Sequence, residues 1–341
     1  MAVTRRLFLV LASTSAAALG CGGAGRASLS RSTYAELHRE VGHARAGTVL
    51  VFMPDTPQTH EVWTGLSDEL GGEFDLVAVR VQGPEDAPAI AEGIRRHAPS
   101  GLVLMNNPTV AAYRDFLLHD DVGRRLPAVV VMCSFLKSSD LARLGDTGIA
   151  YEVPLITAVT GLRRIVASPV DRVGVVYRAP LAGFVARQHA LAEREQITLV
   201  EQRVSARPNL SELRRALRLV KIHADALWIL NDDRLLTPEL ITDGWLPGLN
   251  ERPWRPTIVG AASLVSAQQS FGTFAVLPDH TALGVQAANL VFEIADAGWS
   301  LPPDAAAQLP LPTTITIDST QARTRLRLQE GALAQVDRIV E

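Results

Sequence analysis

Cysteine is nearly absent from this sequence: Cys21 and Cys133 are the only two in 341 residues. That leaves no clustered cysteine set for a structural metal and no framework of disulfides. The eight histidines are scattered and none forms a His-Glu-x-x-His pair, so a metal ligand set is not expected. A Walker loop is also missing, and the one glycine-rich stretch, 20–25, lies far from any predicted strand. The formal net charge is −3 and no clustered basic face is visible, which argues against nucleic acid as a partner. Ser134 and Lys137 match the serine-x-x-lysine spacing of acyl-enzymes, but the Ser-Asp-Asn and Lys-Thr-Gly elements that accompany it are absent. No catalytic residue, no cofactor and no enzyme activity are therefore expected.

What the chain does contain is a repeated unit. At 47% hydrophobic and 20% charged it is ordinary for a globular protein, and it is long enough for two domains with full cores. Short apolar runs alternate with helical patterns, and the series restarts in the middle, after 148–171. Strands are predicted over 49–53, 76–81, 102–105 and 128–132, with helices over 59–70, 87–97, 110–118 and 138–144. The second series places strands over 173–176, 198–202, 226–230 and 257–259, with helices over 183–194, 210–222 and 238–249. Near-continuous runs such as VLVFM and AVVVM are those of strands covered on both faces, so the sheets should be parallel. The fold class is α/β, with two doubly wound parallel-sheet lobes joined by a three-segment hinge.

The remaining segments complete this plan. Residues 148–154 form the first crossing, the apolar run 271–277 carries the chain back to the first lobe, and 280–297 is a long amphipathic helix there. A Pro-rich connection, 301–312, leads to a last strand over 314–317 and a terminal helix on the second lobe. Lobe 1 is thus 47–153 plus 276–311, and lobe 2 is 154–275 plus 312–341. Residues 21–46 read as a tether followed by a short helix over 34–43.

The first 20 residues read as a targeting segment. Arg5 and Arg6 precede an apolar stretch, and Ala18, Leu19 and Gly20 precede Cys21, which resembles a bacterial twin-arginine leader ending in a lipobox. The resemblance implies cleavage before Cys21 and a lipid on its thiol, with a charge of −5 for the mature chain once the two arginines are removed. An uncleaved anchor or a non-lipidated secretory peptide is the alternative, since Ala18 stands where lipoboxes usually carry Leu. In each case the body is exported. With Cys21 acylated, Cys133 has no partner and reads as a small core residue at the end of a buried strand.

Ligands of parallel sheets bind beyond the carboxyl ends of the strands. Those ends carry Asp55 and Thr56, then Asn106 and Asn107, then Ser134 and Phe135; in the second series they carry Tyr177 and Arg178, then Asn231, Asp232 and Asp233, then Ser263. Thr56, Thr59 and Thr109 equally suit helix caps, and Asn106 with Asn107 a turn. One of Asp232 and Asp233 would bind a ligand cation or cap the next helix while the other faces water. Amide and acidic groups, the aromatic faces of Phe135, Tyr151 and Tyr177, and Arg178 as a carboxylate partner together suit a small amino-acid-like or aromatic solute.

The segments DRVGVVYRAP, DALWILNDDRLL, PTIVGAASLV and FAVLPDHTALGVQAANLVFEIADAG, in that order behind a lipoprotein-type leader, resemble the solute-binding proteins of ABC importers. The likeness is to the type I periplasmic-binding class, in the branch whose members bind tryptophan and other aromatic amino acids, and covers 47–328. It implies an interlobe cleft with Asp55, Asn107, Tyr177, Asn231, Asp232 and Asp279 among its candidates, and a permease and ATPase complex as partner. Tyr151 and Glu152 replace the Ser-Asp common at the first crossing, and Tyr177–Pro180 replaces a small polar turn, so the departures bear on the ligand more than on the fold. A sensor or structural lipoprotein of the same fold, handing its closed form to a signalling partner, is the competing class.

Overall fold

The computed structural model describes residues 34–41, 46–119, 125–136, 147–265, 270–301 and 307–341. The leader, Cys21, the tether and the helix expected over 138–144 lie outside them, as does Lys137.

Thr48–Met53 (β2) is buried from Val49 onward and sits inside a sheet whose neighbours run parallel to it, Asp75–Arg80 (β3) on one side and Gly101–Met105 (β4) on the other. Ala128–Cys133 (β5), Thr147–Ala150 (β6) and Ala307–Gln308 (β12) extend the parallel array. On the far edge Glu36–Glu40 (β1) pairs with β3 in the antiparallel sense. Continuous apolar strands need cover on both faces. On one side it comes from Pro57–Leu70 (α1) and His280–Asp296 (α8), which pack with Val49, Val51 and Val103. Ala87–His97 (α2) and Asn107–His119 (α3) cover the other, over Leu50, Phe52 and Leu104.

The second sheet repeats the design. Its order is β14-β13-β11-β10-β9-β7-β8, with Arg172–Arg178 (β7), Thr198–Val204 (β8), Ala226–Ile229 (β9), Thr257–Val259 (β10) and Phe274–Pro278 (β11) all parallel. Thr313–Asp318 (β13) runs antiparallel beside β11, and Arg338–Val340 (β14) follows it in parallel. Leu155–Ile165 (α4) and Ala182–Glu193 (α5) supply buried residues to one face, and Leu210–His223 (α6) with Leu246–Asn250 (α7) to the other. The α/β class and the paired, mainly parallel sheets are as expected, and the chain passes between the sheets three times: after β6, after β11 and after β12.

Several local expectations are corrected. Where a helix was expected over 34–43, the described residues 34–41 are not helical, because the open edge of β3 offers unpaired amides and carbonyls that β1 saturates, outweighing local propensity. The apolar run 271–277 does not return the chain to the first sheet: β11 is an interior strand of the second, so a lobe boundary at 276 would cut a strand, and the return comes at α8. The first crossing is shorter than 148–154, since Gly148 lies within β6. The helix α4, and the strands β12 and β14, are additions.

The helix expected over 238–249 is present over 238–250, with its stretch Leu240–Trp245 widened into π-helical turns before α7. Pro247 has no amide to offer the Asp243 carbonyl, and Arg214 Nε of α6 donates to that oxygen instead, at 2.9 Å.

One helix contact has unusual closeness. A Cβ on Gly65 of α1 would sit 1.9 Å from the Thr281 carbonyl oxygen, and one on Gly284 of α8 would sit 2.2 Å from the Val62 carbonyl oxygen. The two helices therefore touch backbone to backbone, which only glycine at these positions permits.

Candidate functional site between the two sheets

The carboxyl ends of the central strands converge on the segment after β5. Asn107, at the start of α3, brackets Ser134: its Oδ1 accepts from the Ser134 amide at 2.8 Å and its Nδ2 donates to the Ser134 carbonyl at 3.2 Å. Asn106 has φ +78°, and its Oδ1 accepts from the Thr109 amide at 3.0 Å, capping the helix. Met132 and Phe135 also have positive φ, +57° and +58°. Non-glycine residues adopt this conformation at a cost that surrounding contacts must hold in place.

Those contacts reach the second sheet. Asn231, just beyond β9, donates from Nδ2 to the Ser134 hydroxyl at 3.2 Å. The Phe135 ring meets Phe184 of α5 edge-on at 5.1 Å between centroids, and Phe184 in turn lies 5.9 Å from Trp228 in β9. Phe135 thus leaves its own sheet to pack on the core of the other.

The first crossing forms the floor. Glu152 Oε1 accepts from the Phe135 amide at 2.9 Å, and the carboxyl is also hydrogen-bonded to the Ser134 side chain. Burial, partly offset by these bonds, raises its pKa to about 7. Beside it the Tyr151 hydroxyl lies 3.1 Å from His280 Nε2, with the two rings stacked at 8°, and His280 Nδ1 lies 2.7 Å from Glu61 Oε2. Burial pushes the Tyr151 phenol up to about 12, so it stays neutral.

Above this floor is a cavity of about 30 Å³, and with the solvent-open space over it the recess spans about 440 Å³. Tyr151, Glu152, Trp228, Asn231, Gly260 and Pro278 are among its lining. Among the described residues Glu152 is the only lining side chain with a carboxyl, no Lys, Arg or His lines the recess, and apolar groups dominate the rest. A recess of this kind, apolar with a few convergent polar groups, is the usual form of a small-molecule site.

The remaining sequence candidates are placed differently. Arg178 and Asp232 bind each other in a two-pronged pair, Nε to Oδ2 and Nη2 to Oδ1 both at 2.7 Å, with 15% and 1% side-chain exposure. Arg178 Nη1 donates to the Ala206 carbonyl, and Asp232 Oδ1 accepts from the Arg234 amide. The expected roles, Arg178 on a ligand carboxylate and Asp232 on a ligand ammonium, are thus taken by one another. Tyr177 is buried and donates to Glu201 Oε2 at 2.9 Å. Asp55 accepts from His60 Nε2 at 2.7 Å. Thr56 completes a capping box on α1, and Asp279 caps α8 through the Ala282 amide. Ser263 is exposed in the turn Ala262–Leu264, outside the cavity lining.

Five candidates, Asn107, Ser134, Phe135, Tyr151 and Asn231, are therefore brought together. Glu152, Trp228, Phe184 and His280 join them although pattern reading did not select them. The signal for Glu152 was present as a lone acid in the otherwise apolar crossing GIAYEVP. Trp228 lies inside a strand, where strand-end reasoning does not look. Cys133 is buried, and burial pushes its thiol up, consistent with a core residue. No group of three His, Cys, Asp or Glu among the described residues could hold a metal ion, and no described helix is long and apolar enough to cross a membrane.

Comparison with solved structures places the fold. A substrate-binding protein with adhesive properties from Clostridium difficile, in its ligand-free open form, superposes with a TM-score of 0.57 at 14% identity over 86% of this chain and 98% of its own. A conserved domain protein from Vibrio cholerae gives 0.56 at 20% identity over 88% and 99%. An ABC domain in complex with L-Trp from Streptococcus pneumoniae gives 0.54 at 16% identity over 86% and 100%. The chain has the two-lobed fold of type I periplasmic-binding proteins, and its structural neighbours include ABC-transporter substrate-binding proteins. No protein-family model matches the sequence, and no curated protein does.

Proposed function

We propose that this chain is the solute-binding lipoprotein of an ABC importer, exported and held at the cell envelope through Cys21, capturing a small polar or aromatic amino-acid-like solute between its lobes. The observation that carries the reading is that Glu152 and Asn231, which line one recess, are both tied to Ser134, itself held by Asn107, so polar groups from both sheets converge beside that recess. A solute that engages both sides favours the closed arrangement by its differential affinity for that form alone. Delivery to a permease and ATPase complex needs no bond made or broken by this protein. A thermal-shift screen of amino acids, amines, nucleosides and sugars, followed by calorimetry of any hit, tests the reading. A hit whose affinity drops about tenfold or more in Asn231→Ala supports it, and the absence of any stabilising solute contradicts it.

One observation favours a second reading, a sensor or structural lipoprotein of the same fold. The bond from Asn231 to Ser134 and the Phe135–Phe184 contact join the two sheets through the protein's own side chains. A protein that closes on itself in this way can present that form to a signalling partner. Affinity for a permease or for a membrane kinase, measured with the purified chain, separates the two.

A further inference from the structure

The charges in the recess define its ligand more narrowly. Among the described residues the lining carries one carboxyl, Glu152, and no ammonium or guanidinium. Arg178, the cation expected to meet a ligand carboxylate, is committed on both prongs to Asp232 and on its remaining nitrogen to the Ala206 carbonyl. A ligand carboxylate entering the recess would meet Glu152 with no cation among the described lining residues to balance it, at a cost that grows as water is excluded. The opposite charge is favoured twice. Glu152 attracts it directly, and the faces of Tyr151 and Trp228 attract cations through their ring quadrupoles. Tyr151 is a fixed wall, since His280 stacks on its ring and holds its hydroxyl while Glu61 holds His280.

We propose that the recess takes a small organic cation, an amine with an aromatic or alkyl body and no free carboxylate, its ammonium beside Glu152 and its body against Trp228 and Tyr151. This rests on the solute-binding reading above and narrows its amino-acid-like solute to the amine end. The groups facing Glu152 are the Phe135 amide and Ser134 hydroxyl after β5, the Cys133 thiol within that strand and Tyr151 on its own crossing. None of these described groups is a cation, so an arriving ammonium is the charge that ionises Glu152. Its uptake below neutral pH therefore releases a proton, whereas a ligand using Glu152 as a hydrogen-bond donor would bind better in acid.

The test is calorimetry of the full chain with matched pairs, tryptamine against tryptophan and phenethylamine against phenylalanine, at pH 6 and pH 8. The amine of each pair should bind at least tenfold more tightly, and its affinity should rise about tenfold from pH 6 to pH 8. Glu152→Gln, with its fold checked by melting, should lose that pH dependence and at least tenfold in affinity. Tryptophan or phenylalanine binding as well as its amine would overturn the cation proposal while leaving solute binding intact, as would hits confined to sugars. If the broader screen finds no ligand at all, both readings fall. The paired comparison needs no variant, so a misfolded Glu152→Gln protein would not rescue the proposal.

Discussion

His38 Nε2 of the edge strand β1 lies 2.8 Å from His60 Nδ1 of α1, and His60 Nε2 lies 2.7 Å from Asp55. One nitrogen of the His38–His60 contact must be unprotonated for it to exist. The same strand is held at its other side by His97, whose Nδ1 accepts from Arg39 and whose Nε2 meets the Tyr34 hydroxyl at 2.6 Å. Two imidazoles that work as neutral groups thus fasten β1 to the body.

Acidification should release that strand. Burial holds the pKa of both His38 and His97 below the ordinary histidine value, with His60 adding to the effect on His38. A lowered folded pKa means that undocked β1 binds more protons. The docking energy is complete above the ordinary value of about 6.5 and is lost as pH falls from there through the lower folded values. Amide exchange, corrected for its intrinsic pH dependence, should show Glu36–Glu40 losing protection between pH 7.5 and 5 while Thr48–Met53 stays protected. Equal protection at both pH values would contradict the docking account.

Gly65→Ala and Gly284→Ala should each lower stability by about 2 kcal/mol or more, because the new methyl meets a carbonyl oxygen rather than a movable side chain. Gly72→Ala is the control, since a Cβ there meets nothing within 4 Å. Urea denaturation followed by tryptophan fluorescence reads all three.

Asp232→Ala should destabilise the protein by about 3 kcal/mol, because it strands a mostly buried guanidinium. Pairing it with Arg178→Met should recover most of that loss, and a double-mutant cycle in urea measures the coupling. A variant that lost solute affinity while keeping full stability would instead mean that Asp232 serves the ligand.

Mass spectrometry of protein extracted from membranes should show an acylated Cys21 as the first residue. An intact leader carrying Arg5 and Arg6, or an unmodified start elsewhere, would rule out the lipid anchor.

How much of this was legible in the sequence differs by element. Strands such as β2 and β10 were readable because runs buried on both faces have no other composition, and the helix 87–97 was readable from its apolar spacing. The strand β1 was not, since its reason for being extended is the edge of β3, which no local pattern encodes. The sheet to which Phe274–Pro278 belongs was equally hidden, because an apolar strand looks the same in either. At the site, Asn107, Ser134 and Asn231 were found because they follow strands. Glu152 and Trp228 required knowing which crossing faces which strand, and the mutual capture of Arg178 and Asp232 required their separation of 54 residues to be folded away.

The contact of Gly65 and Gly284 bears also on how the molecule can bend. It fuses α8 to α1, while Pro278, the residue just before the Asp279 cap, is still paired with Thr313 in the second sheet. The backbone therefore passes from one rigid block to the other within a single peptide step. Proline's ring already fixes one of the torsions there. Of the three crossings this one has the least slack: its free torsions are ψ of Pro278 and the two of Asp279, which stand at −68° and 117°. A pivot this short has little backlash, so any change of aperture at this crossing must turn on those three torsions.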